Sequence, residues 1–196
     1  MTTEPCTPAV LGRVAEILLH DFEGQFKPLF EQTADLLQGR PLEPEHEAFN
    51  ALDHLSNALR QAARADDPGT PPVEADAARL NAQRQLWQAR RHISTGRFFC
   101  VEHQILSAMN HILEHTEKLS HINAADQAAL QLRGTELEEK FHGFAELEIK
   151  PLFDLNDLEQ SIDDLARKIE GLIALLDEFF DLSLEVAALG QAAPAP

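Results

Sequence analysis

Through the last fifth of the chain, apolar residues recur alternately three and four positions apart. They are Leu155, Leu158, Ile162, Leu165, Ile169, Leu172, Leu176 and Phe179, with Val186 back in phase after Ser183. An a/d seam kept over about four heptads predicts a long helix laid against at least one partner helix. Its first half is apolar only at the seam, whereas further on Ile173, Leu175, Phe180, Leu182 and Leu189 widen the apolar arc. A narrow seam suits one neighbour; a wide arc needs two or more, or a second subunit. Those five residues are therefore the expected interface, and a homodimer through that face is the expected assembly.

The 3.6-residue period predicts four further helical segments. Residues 8–38 carry Leu11, Val14, Leu18, Phe22, Leu29 and Leu36 on one face, with a kink at Pro28. After a turn at 39–44, residues 45–65 direct Phe49, Leu52, Leu55 and Leu59 inward. Residues 66–72, holding Asp-Pro-Gly and Pro-Pro, form the clearest loop. Residues 73–120 form one long helix or two hinged at Gly96, with Phe98, Val101, Ile105, Met109, Ile112 and Leu119 along a stripe. The last segment runs from Asn123 to before Pro151, with a break at Gly134, because Thr135-Glu-Leu-Glu138 has the form of a capping box. The expected fold is all-α, an antiparallel bundle of four to five helices with a long heptad-patterned C-terminal helix. It forms a single domain over 8–189, between a flexible N-terminus (1–7) and a disordered tail (190–196).

Charge narrows the partners. The chain has 196 residues and a formal charge of −17, which disfavours nucleic acid and anionic lipid. Acids outnumber bases from 135 to 185, whereas Arg79, Arg84, Arg90, Arg91 and Arg97 lie in a stretch without any acid. Those arginines are expected to pair with the acidic C-terminal helix. Two cysteines, Cys6 and Cys100, are too few for a disulfide framework, and no window reaches the length of a membrane span. With no leader-like N-terminus, the expected address is cytoplasmic.

Candidate chemistry centres on the nine histidines. The order His111-Ile-Leu-Glu114-His115 resembles the zinc motif of the inverzincin peptidases. That resemblance implies His111 and His115 as zinc ligands and Glu114 as the base, with Glu185 at a suitable separation for the acidic ligand. It covers five residues, and that family sets its motif in an α/β domain, whereas no strand is predicted here. His111 and His115 alone could make a surface zinc site. The order of His20, His54, His111, His115 and His142 is similar to that of hemerythrin-like di-iron bundles. Ligands of that kind point inward, and here His20, His54 and His142 fall away from the apolar faces of their helices. The R-x5-H spacing of Arg97 and His103 resembles that of HEPN ribonucleases, although Phe98 stands where those enzymes carry a polar residue. Glu102 and Glu148 are carboxylates on apolar faces that could share a metal or meet an arginine. Trp87 reads as a core anchor.

No constellation assembles a complete catalytic set. The leading expectation is a non-enzymatic, cofactor-free protein working through protein contacts, as a regulator, adaptor or inhibitor of a basic partner. A zinc- or iron-binding bundle is the alternative, followed by the H-x-x-E-H hydrolase and the HEPN-like ribonuclease.

Overall fold

The computed structural model describes residues 7–37, 43–119, 122–145 and 155–191. Among them every regular element is helical: α1 (Pro8–Asp21), a π-helical turn (Phe22–Phe26), α2 (Lys27–Leu37), α3 (Glu43–Asp66), α4 (Pro72–Thr116), α5 (Ala124–Ala145) and α6 (Leu155–Gln191). The fold is all-α with bundle-like packing. No described helix is long and apolar enough to cross a membrane.

Local chemistry sets the boundaries. Thr7 caps α1, its hydroxyl accepting from the Val10 amide, and Pro8 follows as the first helical residue. In the loop at 67–71 the Asp67 side chain accepts from the Gly69 amide at 2.9 Å, while its carbonyl accepts from Thr70. Asn123 caps α5, accepting from the Asp126 amide at 2.9 Å and donating to the Asp126 carboxylate at 2.7 Å. At Pro28 the expected kink takes the form of the π turn just upstream. Proline crowds the carbonyl four residues back, and a widened turn relieves that contact.

The described residues form two compact units, those within 1–99 and 151–166, and those within 100–150 and 167–196. In the first, α3 and α4 run antiparallel, fixed by Arg64–Glu74, His54–Gln85 and Glu47–His92, each at 2.6 Å. Their buried faces are rich in alanine: Ala51, Ala58 and Ala62 on α3, and Ala75, Ala78, Ala82 and Ala89 on α4. Small side chains let helix axes approach closely. This corrects the expected face of α3. Only Leu55 of the four is buried; Leu52 and Leu59 are exposed, and Phe49 keeps 71% of its surface. Their stripe lies about 110° around the helix from the alanine face.

α4 is one helix of 45 residues that runs through Gly96. The role of Gly96 is clearance. Phe26 is fully buried, and a Cβ at Gly96 would lie 2.3 Å from its ring. Phe22 and Phe30 flank Phe26 in edge-to-face contact at 5.4 and 6.4 Å. The arginine stretch pairs partly as expected: Arg90 approaches Asp163 at 3.9 Å and lies over the half-buried Trp87.

The second unit joins the end of α4, α5 and most of α6. Lys140–Glu178 at 2.7 Å and Arg133–Glu185 set α5 antiparallel to α6. α4 and α6 run parallel, since His111 meets Ser183 and Leu119 meets Gly190, as an up-down-up order requires. The seam residues Ile162, Leu165, Ile169, Leu172, Leu176, Phe179 and Val186 are buried; the side chains of Leu36, Leu155 and Leu158 lie outside the described residues. α5 runs unbroken through Gly134. Thr135 does not cap a helix there; its hydroxyl donates to the Gln131 carbonyl one turn back, at 3.1 Å. α6 continues through Gly190 to Gln191; the rest of the expected N-terminus and tail lies outside the described residues.

Candidate functional site

α6 positions the interface residues on different faces. Leu175 and Leu182 are buried, and Leu189 is half-buried. Two intrachain neighbours thus occupy much of the wide arc. A charge at Leu182, which is 0% exposed, would oppose folding rather than probe a surface. Ile173 and Phe180 do reach solvent, and Leu184, which the arc reading overlooked, is 70% exposed. These three stand seven and four residues apart, so they form one stripe about 110° from the buried face. The signal was present in the sequence as that spacing.

Charge flanks the stripe on one side only. Going round the helix toward α5, Asp177 comes first, then Glu170 and Asp181, all exposed. Glu178 and Glu185 follow, held by Lys140 and Arg133 of α5. On the opposite side the Ser183 hydroxyl meets His111 Nδ1 of α4 at 2.8 Å. That serine–histidine contact lies within two helices whose backbone amides are spent on helical hydrogen bonds. No pair of amides is left beside it to stabilise an oxyanion.

Of the residues singled out for metal, His111 and His115 lie together. The His111 and His115 rings stack at 3.9 Å with a 24° tilt, and His115 Nδ1 contacts the His111 carbonyl at 2.9 Å. Metal ligation uses a lone pair in the ring plane, and face-to-face rings aim those lone pairs side by side. Glu114 is exposed, Glu102 is half-buried, and Glu148 lies outside the described residues. His20 and His142 are exposed. Among the described residues, no group of three or more His, Cys, Asp or Glu is placed to hold a metal ion. Arg97 belongs to the first unit and His103 to the second. Replacing both His111 and His115 by alanine is expected to change stability by no more than about 0.5 kcal/mol, as usual for surface positions, measurable by thermal unfolding.

A polar pairing that the sequence did not reveal sits between α3 and α4. His54 and His92 stack at 5.1 Å, each held through Nδ1, by Gln85 and Glu47 respectively. Both ring contacts lock the register of the hairpin. Nearby, Phe22, Phe26, Phe30, Ala48 and Leu52 line a groove of about 360 Å³ whose rim mixes Glu23, Lys27 and Glu31. Comparisons with known proteins found no matching family model, no similar curated protein and no similar solved structure.

Proposed function

We propose that this chain is a non-enzymatic binding protein that offers the exposed stripe of α6 to a basic amphipathic helix of a protein partner. The observation that carries this reading is the stripe itself: Ile173, Phe180 and Leu184 exposed on a helix, with Asp177 and Asp181 beside them. An apolar row supplies anchors for a helix laid alongside it, and a one-sided acidic flank selects lysine or arginine on that helix. The net charge of −17 adds long-range attraction for such a partner. The apolar surface of the first unit carries mixed charge at its groove and names no comparable occupant. A cytoplasmic address belongs to the same proposal, because Cys100 is a buried thiol that suits a reducing compartment.

The test uses a synthetic amphipathic helix with a leucine face and lysine flanks. Phe180→Glu combined with Leu184→Glu changes only exposed positions, so the thermal midpoint should stay near that of the parent protein. Affinity for the peptide should fall at least about tenfold, as expected when central anchors are lost. Unchanged peptide affinity in the double variant would refute the assignment. Loss of self-association in that variant, with the peptide ignored by both proteins, would replace the basic partner by a second copy of the chain.

A further inference from the structure

Within the second unit, α4 and α5 face each other across a cavity of about 360 Å³, with Phe179 of α6 also in its wall. α4 contributes Met109, Ile112, Leu113 and Thr116, and α5 contributes Leu130, Gln131, Gly134, Thr135 and Glu138. The α4 set, and the α5 set from Gln131 on, follow the i, i+3, i+4, i+7 spacing of a single helix face. The α4 face is mostly apolar, and beyond Leu130 the α5 face is small or polar, so the helices do not fill the space between them. At Gly134 a Cβ would meet nothing within 4 Å. The volume falls at the lower end of ordinary small-molecule sites, about 300–1,000 Å³.

The polar lining is matched to a donor. Thr116 spends its hydroxyl hydrogen on the Ile112 carbonyl at 2.7 Å, and Thr135 spends its own on Gln131 at 3.1 Å. Both oxygens keep lone pairs with which to accept from a donor. Glu117 and Glu138 add carboxylates, and Gln131 alone among the described lining residues has side-chain hydrogens to donate. No Lys or Arg is part of the described lining, and His142 lies 3.8 Å from Glu138. From apolar side chains gathered beside hydroxyl and carboxylate acceptors, we propose that this cavity binds a small organic ammonium, its hydrocarbon tail against Met109, Ile112, Leu130 and Phe179 and its N–H groups toward Thr135 and Glu138.

The chain provides its own reporter, since Met1 and Met109 are its two methionines. With ¹³C-methyl methionine in the full-length protein, hexylammonium should shift the Met109 resonance saturably and leave Met1 in place. Hexan-1-ol should bind at least about fivefold more weakly, and hexanoate should not bind, since each loses the charge-assisted contact. Gly134→Leu fills the cavity at a helix position where leucine is the better helix former, so the protein stays folded while hexylammonium binding drops at least about tenfold. Glu138→Gln should narrow the gap between amine and alcohol. Equal affinity for the three probes, no saturable Met109 shift, or undiminished amine binding by Gly134→Leu would each overturn the proposal.

Discussion

Phe26→Ala is expected to cost roughly 3–5 kcal/mol of stability, the usual range for emptying a buried aromatic site. For a chain of this size that corresponds to a fall in Tm of roughly 6–20 °C. Phe26 is fully buried against Gly96 of α4, with Phe22 and Phe30 packed edge-on to its ring. Its neighbours are held in continuous helices, so the space left by the ring has little means of closing. Thermal unfolding with a denaturant series checks the value. A loss below about 1 kcal/mol would mean that the ring is not the packing centre of its unit.

At Gly96 the same clearance makes alanine harmful. Overpacking a tight core costs about 1–3 kcal/mol, and replacing glycine by alanine inside a helix returns about 0.5–1, leaving an expected net loss of up to about 2.5 kcal/mol. At Gly134 nothing opposes the new methyl group, so Gly134→Ala is expected to stabilise by about 0.5–1 kcal/mol. One substitution thus has opposite signs at two helical glycines. The clash also predicts coupling: with Phe26 already alanine, Gly96→Ala should become neutral or stabilising. A loss at Gly96 that persists in the Phe26→Ala background would assign the effect to something other than the ring.

The seam of α6 was legible because large aliphatic side chains mark it, and those with described side chains are buried. α3 was misread for the converse reason. Its buried face is written in alanine, which advertises no direction, while the larger Phe49, Leu52 and Leu59 lie to the side. Gly96 and Gly134 look alike in the sequence, and only the ring of Phe26 distinguishes them. The capping-box pattern at Thr135 is a local preference that packing of α5 against α6 overrides. For the wide arc of α6, the pattern allowed either two neighbours or a second subunit. α4 and α5 supply intrachain neighbours, which leaves Ile173 and Phe180 of that arc facing outward, beside Leu184. Nothing in the sequence says that the α4 and α5 faces lining the cavity oppose one another.

The central claim, that α6 receives a basic helix, is tested most directly by calorimetric titration of the unaltered protein. The titrants are the leucine–lysine helix and its leucine–glutamate counterpart of equal length and apolar face. The account predicts saturable binding of the lysine peptide that weakens as salt is raised, because screening shortens the reach of Asp177 and Asp181. The glutamate peptide should not bind. Equal binding of both peptides, or none of either, would contradict it.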